Sequence, residues 1–347
     1  ADEASVVNVQ DLCRRMVIDR LKRLSISRIT LDFDGSVLST TSRKTEGTAV
    51  GFNKKRKGAR SYYPLFCTVA QTGQVLDFYH RPGNVHDSNG AREFILRCIA
   101  AVREDLPGVI IEVRMDSAFF SDDIISALDA ARIEFTVSVP FERFAELKEM
   151  IEKRKRWKTI NGTWSYFESG WKPKSWSTRY RFLFIRQTCK QINKEPIQLD
   201  LFIPHVYGYE FKAIITNKSA SAKKVLAFHN GRGSQESVFG ELKSQGQMDY
   251  IAVRGLYGNQ LYMLASILAH NLNRELQMAT GGKRDRGTTE KRAPLFKFEE
   301  LRTIRHRLIQ RAGRLTRPSG TLTLTLSANE TVRTELLRFL DALAKVA

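Results

Sequence analysis

The stretch that decides the fold is GVIIEVRMDSAFFSDDIISALDAARIEFTVSVP, residues 108–140. It opens with an apolar run over 109–113 and continues through a segment with helical spacing that Ser121 can cap. It closes with a second apolar run over 134–139, so two buried strands flank one helix. Strands that alternate with helices in this way predict an α/β core whose parallel part is covered on both faces.

Upstream of this unit the sequence predicts a helix, three strands and a second helix. They cover residues 7–24, 27–39, 61–70, 74–81 and 87–102. The first strand alternates apolar and polar residues, as a half-buried strand requires. The second helix begins where Asp87 or Ser88 can cap it.

Downstream, residues 141–217 differ in residue composition and pattern from the rest of the chain. A charged helix over 141–155 leads into short aromatic and β-branched strands, which are separated by Asn-Gly, Gly-Trp and Lys-Pro turns. Helices return after Ser219. They are expected at 220–229, 233–244 and 257–277, before a basic C-terminal region.

Charge is the most informative feature of the composition. Lys and Arg total 56 against 37 for Asp and Glu, which gives a formal net charge of +19. The cations are clustered, which suits a polyanion because each neutralised phosphate releases counterions; a merely solvated basic surface is the alternative. The clusters are Lys54, Lys55, Arg56, Lys57 and Arg60; Lys153, Arg154, Lys155, Arg156 and Lys158; Lys283, Arg284 and Arg286; and six arginines between residues 302 and 317.

Several other classes of protein are disfavoured. No apolar run approaches the roughly 20 residues that span a bilayer, and the N-terminus lacks a signal-peptide pattern, so a cytoplasmic protein is expected. The four cysteines form no CxxC pair and the six histidines are dispersed. A disulfide framework and a zinc site are therefore not expected.

Two aspartates occupy positions where a site can form. Asp34 shares the polar face of its strand with Asp32, and strand geometry alone does not choose between them or exclude a solvated face. Asp116 directly follows the buried strand of the opening stretch, and open α/β sheets gather ligands at such strand ends. A capping or turn aspartate is the alternative interpretation of Asp116.

A third acid lies in HNGRGSQESVFGELK, residues 229–243. At about 100° per residue, a helix places His229, Arg232, Glu236 and Lys243 on one narrow stripe and turns Glu241 away from it. An i,i+4 ion pair between Arg232 and Glu236 explains one pair but not the other two groups. Gly240 weakens the helix, which predicts close approach of another backbone there.

Three acids in a strongly basic chain predict a carboxylate-bound divalent metal site that acts on phosphodiesters. Hard cations such as Mg²⁺ or Mn²⁺ prefer oxygen ligands. Two such ions can activate the attacking hydroxyl and stabilise the leaving oxygen. The cations of the stripe would hold phosphates near them.

These residues resemble a known family. Arg232, Glu236 and Lys243, with His229 in place of a tyrosine, match the Tyr-x2-Arg-x3-Glu-x6-Lys signature of bacterial insertion-sequence transposases. LDFDGSV, GFNKKRKGARSYYPLF, HRPGNVHDSNGA and VRMDSAFFS are similar to the corresponding blocks of the insertion-sequence 1380 family of DDE transposases. The likeness runs in order from about residue 28 to about residue 275.

The resemblance implies a fold and a division of the chain. The fold is a ribonuclease-H-like α/β core, a mixed sheet flanked by helices, with a β-rich insertion between the second and third acids. Only 33 residues precede Asp34, fewer than such transposases usually carry, so a truncated or processed form is expected. The divisions are an N-terminal helical segment at 1–27, a core at 28–140 and 218–280, a β-rich insertion domain at 141–217, and a basic C-terminal region at 281–347.

The resemblance also implies the site. Asp34, Asp116 and Glu236 become the catalytic, metal-binding triad, and Arg232 and Lys243 contact phosphates of the transposon end. Asp34 is favoured over Asp32 because it directly precedes Gly-Ser, as the family's first aspartate precedes a small residue and Ser or Thr. The departure at His229 leaves the corresponding DNA contact open.

Four tryptophans, Trp157, Trp164, Trp171 and Trp176, fall within twenty residues beside a basic cluster. One interpretation is that they form the core of a small β-domain. The other is stacking on an unpaired or flipped base near the cleavage site, as in related transposases, with cleavage through a DNA hairpin.

The function expected from all of this is a Mg²⁺-dependent DNA transposase that cleaves transposon ends and joins the 3′-hydroxyl to target DNA. Its partner is double-stranded DNA, both ends and target. A homodimer is expected because two ends must be joined together. The alternatives are a stand-alone nuclease on the same core and a non-catalytic, transposase-derived DNA-binding protein.

Overall fold

The structure is a computed structural model of the 347-residue chain. It describes residues 1–51, 53, 56–86, 88–188, 208–283, 289–326 and 329–344. None of the helices in these ranges has the length and apolar character that a bilayer crossing requires.

Nine strands form one mixed sheet, in the order β6-β5-β1-β7-β8-β12-β11-β10-β9. β1 pairs in parallel with β7, and β7 with β8, while all other neighbours are antiparallel. The strands are β1 (Arg28–Gly35), β5 (Leu65–Val69), β6 (Gln74–Tyr79), β7 (Ile110–Met115), β8 (Glu134–Val139), β9 (Lys158–Thr159), β10 (Trp164–Trp171), β11 (Tyr180–Thr188) and β12 (Tyr209–Thr216).

The first five strands of this order form the predicted core. An antiparallel hairpin, β6-β5, precedes three parallel strands, β1-β7-β8, and these are the order and directions expected of a ribonuclease-H-like sheet. In the described part of the β-rich region, β9–β12 do not form a sheet of their own but continue the same sheet beyond β8. A separate insertion domain therefore stays a prediction.

Two smaller sheets lie outside the main one. The first has the order β2-β4-β3, and the second is a hairpin. Their strands are β2 (Leu38–Thr40), β3 (Ala49–Val50), β4 (Arg60–Tyr62), β13 (Gly313–Thr316) and β14 (Thr323–Leu326).

Helices cover both faces of the main sheet, as predicted. Odd-numbered apolar residues of β1 and β7 pack in one core with α1, α2 and α3, while α6 and α7 pack in a second core over β5 and β6. The helices are α1 (Glu3–Leu24), α2 (Ala91–Asp105), α3 (Asp122–Ala130), α4 (Ala145–Glu152), α5 (Ala222–Asn230), α6 (Ser234–Ser244), α7 (Leu256–Thr280), α8 (Leu301–Ile304) and α9 (Glu330–Ala344).

The helix caps were predicted with mixed success. Ser121 caps α3, since its side chain accepts the Ile124 N–H at 3.3 Å. The predicted cap of α2 at Ser88 is wrong: the helix begins after Gly90, which has φ of 69° and makes no side-chain cap. Glycine suits this position because a Cβ would lie 2.9 Å from the Tyr79 ring. Asp87 lies outside the described residues.

Candidate active site

Asp34, the residue before the last of β1, and Asp116, the residue directly after β7, lie side by side at one end of the sheet. Phe33 of β1 lies opposite Met115 of the parallel strand β7, so the next residue of each strand is an aspartate on the same face. Each carboxylate is oriented locally: Asp34 accepts the Gly35 N–H at 2.8 Å, and Asp116 accepts the Ala118 N–H at 2.9 Å. Asp116 thus caps a short 3₁₀ turn, as the alternative interpretation predicted, and does so at the strand edge where a site forms.

Asp32 has a different environment from Asp34. It is 1% exposed and makes a two-pronged ion pair with Arg114, with distances of 2.5 Å to Nε and 2.7 Å to Nη2. The Asp34 side chain keeps 19% of its surface exposed. Of the two aspartates that the strand pattern left open, only Asp34 is accessible.

The segment from Arg232 to Lys243 lies along the end of β1. Arg232 Nη1 is 3.1 Å from Asp34 Oδ2, and Gln235 donates to the backbone oxygen of Asp32 at 3.0 Å. Lys243 donates to the Val37 oxygen at 2.9 Å, just beyond the strand. Arg232 therefore pairs with Asp34 of β1, whereas the alternative interpretation paired Arg232 with Glu236, four residues further along the chain.

Glu236 lies on α6 and is exposed. Within the described ranges, no three Asp, Glu, His or Cys side chains are gathered closely enough to hold a metal ion. The two aspartates fit a hard divalent cation by the chemistry of their donors, because both offer oriented carboxylate oxygens at neighbouring strand ends. The triad that includes Glu236 stays a prediction.

His229 is not part of this surface. The predicted single helix is broken: α5 ends at Asn230, a 3₁₀ turn covers Gly231–Gly233, and α6 follows. His229 is 3% exposed, and its ring nitrogens lie 2.8 Å from Ser138 Oγ and 3.1 Å from Thr136 Oγ1 on β8. Burial, and then the charge of Lys212, lower its pKa and keep the ring neutral. His229 is thus held inside the fold in this structure, and a DNA contact at this residue stays a prediction.

The glycine that permits close approach is not Gly240. A Cβ there meets nothing within 4 Å, so the predicted backbone approach is wrong. At Gly231 a Cβ would lie 2.1 Å from both Arg114 Nη1 and the Lys291 oxygen. Arg114 Nη1 donates to that same oxygen at 2.8 Å and to the Phe228 oxygen at 3.0 Å. Gly231 therefore leaves room for the guanidinium that holds this junction together.

The four tryptophans pack against protein. Trp176 is 6% exposed and lies 4.7 Å from the Phe120 ring, which agrees with the core interpretation; base stacking at this position stays a prediction. Trp171 packs edge-on to Phe182, and Trp164 packs against a cluster that includes Leu183. The remaining indole, Trp157, is partly buried and carries the Arg186 guanidinium 4.6 Å above its ring.

The basic clusters differ in how their members are used. Arg60 is held by Thr48, whose hydroxyl accepts from it at 3.0 Å, and Lys283 donates to the Leu24 oxygen. Exposed cations are Arg56, Lys57, Lys153, Arg154, Lys155 and Arg156. The remaining predicted contacts, Lys54, Lys55, Arg284 and Arg286, lie outside the described residues.

Buried charges on β7 were missed from the sequence. Glu112 is fully buried and accepts from three cations, at 3.0 Å from Arg28, 2.7 Å from Lys218 and 2.8 Å from Arg292. Burial raises the pKa of Glu112, but hydrogen bonds from Arg292 and the charge of Lys218 outweigh it and lower the pKa to about 2. A charge within an apolar strand was the available signal, because buried charges need partners.

Three solved structures to which this chain is similar are transposases. One is a piggyBac transposase synaptic complex with hairpin DNA, with a TM-score of 0.44 and 12% identity over 71% of this chain and 46% of that one. A Mos1 transposase paired-end complex with left transposon end has a TM-score of 0.24 and 12% identity, over 39% of this chain and 42% of that one. A structure of the Mos1 transposase catalytic domain and Raltegravir with Mg has a TM-score of 0.23 and 10% identity, over 45% of this chain and 77% of that one. The chain thus spans less than half the length of the first two.

Sequence comparison is decisive at the level of the family. None of the curated proteins matches this chain. The family described as Transposase DDE domain group 1 matches residues 1–347, the whole of the chain. The chain therefore belongs to this family of DDE transposase domains.

Proposed function

We propose that the chain acts as a DNA transposase that cleaves transposon ends and joins the freed 3′-hydroxyl to target DNA. The observation that carries this is the pair Asp34 and Asp116, which end neighbouring parallel strands on one face. Arg232, 198 positions further along the chain, lies 3.1 Å from Asp34 Oδ2. Family membership supports the reaction class, and the spaced sequence blocks support the insertion-sequence 1380 group.

In this proposal Asp34, Asp116 and Glu236 hold Mg²⁺ or Mn²⁺, two ions in each site. When bound, such ions activate a hydroxyl and stabilise charge on a leaving oxygen. Arg232 pairs with Asp34 through Nη1, and in this proposal its remaining N–H groups donate to a DNA phosphate. Lys243, which donates to the Val37 oxygen in this structure, is the second proposed contact to phosphates of the transposon end.

Double-stranded DNA is the proposed partner, both as transposon end and as target. The formal charge of +19 favours binding to such a polyanion. A homodimer would bring two ends together, and the proposed location is the bacterial cytoplasm, on the nucleoid when DNA is bound.

The test is cleavage of labelled DNA carrying the ends of the chain's own element, with Mg²⁺. Asp116→Asn and Glu236→Gln are each expected to lose at least about 10³-fold in cleavage rate, because each removes a charged metal ligand worth several kcal/mol. Asp249→Asn, which changes an exposed acid, is the matched control. Unchanged cleavage by Asp116→Asn would reject the catalytic account.

Strand transfer distinguishes a transposase from a stand-alone nuclease on the same core. Pre-cut ends with free 3′-hydroxyls should be joined to a target plasmid, whereas a nuclease would leave them unjoined. A hairpin intermediate is tested with Trp157→Ala, because this half-buried indole lies beside exposed cations. The variant should nick normally and alter the later processing of the strand; unaltered processing counts against base stacking by Trp157.

A further inference from the structure

Lys212 lies on the same sheet face and at the same edge as the two aspartates, although it belongs to β12. Arg114 of β7 pairs with Thr136 of β8, which pairs with Thr216 of β12. Side chains alternate along a strand, so Lys212, four residues before Thr216, shares the face of Asp116, two residues after Arg114.

The direction of β12 brings Lys212 close to the strand ends. β12 runs antiparallel to β8, so its first half lies beside the residues that end β7 and β8. Neighbouring strands are about 4.8 Å apart, which places β12 about 10 Å from β7. That separation suits a DNA phosphate adjacent to one bound at Asp116.

Lys212 also lies beside Arg232. Its Nζ donates to Asn230 Oδ1 at 3.2 Å, and Asn230 is two residues before the arginine that contacts Asp34. Burial, and then the charge of Arg232, lower the pKa of Lys212, and the charge of Glu210, two residues before it on β12, offsets only part of this.

No acid in the described ranges forms an ion pair with Lys212. Its recorded hydrogen-bond partner is the neutral amide of Asn230. A half-buried ammonium beside a second cation is unfavourable unless an anion joins them. A purely structural contact to Asn230 does not require a charge at this position.

We propose that Lys212, together with Arg232, binds a backbone phosphate next to the one that reacts at Asp34 and Asp116. This rests on the proposed function. The proposal makes β12 of the β-rich region part of the DNA-binding site. Lys212 of β12 forms a cationic pair with Arg232, which lies in the turn between α5 and α6.

The experiment measures binding of end DNA without divalent ions between 50 and 200 mM KCl. Lys212→Gln should weaken binding about fivefold to tenfold at 100 mM KCl and lower the salt slope by about 1, because one phosphate contact is lost. Lys212→Arg should restore both values. Lys223→Gln, which changes an exposed lysine of α5, should match the wild type.

Two outcomes overturn the proposal. One is wild-type affinity and slope for Lys212→Gln; the other is weaker binding with an unchanged slope, which marks a structural role. Thermal unfolding of each variant shows whether folding is preserved, and Lys212→Arg keeps the test decisive if Lys212→Gln does not fold. Since binding is measured without metal, a wild-type cleavage rate for Asp116→Asn would reject the catalytic proposal and leave this result standing.

Discussion

Two rows of charged side chains lie on one face of β1 and β7, and they differ sharply. In the inner row, Asp32 pairs with Arg114, and Glu112 accepts from three cations; both acids are at most 1% exposed. In the end row, Asp34 and Asp116 stand where the strands finish and remain partly exposed. Residues of the same types become structural where counter-ions enclose them, and stay accessible where the sheet ends.

The inner row connects distant parts of the chain. Arg114 bonds to backbone oxygens of Phe228 and Lys291, and Arg292 bonds to Glu112. These contacts bring α5 and residues near 291 onto the sheet beneath the aspartates. The end row therefore depends on the inner row for its position, which single substitutions can test.

The largest expected effect on stability is at Arg114. Arg114→Met leaves Asp32 buried without a counter-ion, which should lower the free energy of unfolding by about 3–5 kcal/mol. Urea unfolding measures this. Asp116→Asn in the end row should change it by less than about 1 kcal/mol, because Asn can also cap a turn. If Arg114→Met and Asp116→Asn lowered the free energy of unfolding equally, the inner row would be no more important for stability than the end row.

Acid should weaken the inner row through Glu112. Its pKa is lowered to about 2 in the fold, so its contribution is complete above the unfolded value of 4.5 and is lost as pH falls towards about 2. Between pH 6 and pH 3 this amounts to about 2 kcal/mol. Urea unfolding at pH 6 and pH 3 measures this. The free energy of unfolding should fall less for Glu112→Gln than for the wild type. An equal fall in the two proteins would assign the acid sensitivity to other groups.

Gly231 tests the junction between the two rows. Gly231→Ala places a Cβ 2.1 Å from Arg114 Nη1 and from the Lys291 oxygen. The strain should lower the free energy of unfolding by about 1–3 kcal/mol. Chemical denaturation measures this. An unchanged free energy of unfolding would mean that Arg114 and the backbone at Lys291 move aside without a loss of stability.

The smallest effect has the opposite sign. Gly240→Ala adds a Cβ into open space on α6, so helix propensity alone should raise the free energy of unfolding by about 0.5–1 kcal/mol. The same denaturation experiment detects it. A loss of stability at this position would reveal a contact that α6 makes on its open side.

The sequence predicted the core because its signals are local. Apolar runs located β7 and β8, alternation located β1, the end of a buried strand indicated Asp116, and the family resemblance favoured Asp34 over Asp32. Their adjacency needed the parallel register of β1 and β7, which no local pattern carries. The partners of Glu112 lie 84, 106 and 180 positions away along the chain, so they were not predictable from neighbouring residues.

The error in the position of His229 has a geometric cause. The helical stripe assumed 100° per residue from His229 to Lys243, but the turn at Gly231–Gly233 is 3₁₀ and advances about 120° per residue. His229 therefore points into the sheet, while Arg232 points to Asp34. The spacing singled out Arg232 as a cation near the acids, did not predict its ion pair with Asp34, and misplaced the histidine.

The position of β8 has a consequence for synthesis on the ribosome. Its neighbours are β7, made just before it, and β12, which is complete only at Thr216. At about 5–20 residues per second, the chain between Val139 and Thr216 takes roughly 4–15 s to translate. During that interval β8 is an unpaired edge of a nascent sheet, the kind of template that invites wrong partners. Protection of that edge by a chaperone or by early helices would decide how much of the chain folds correctly.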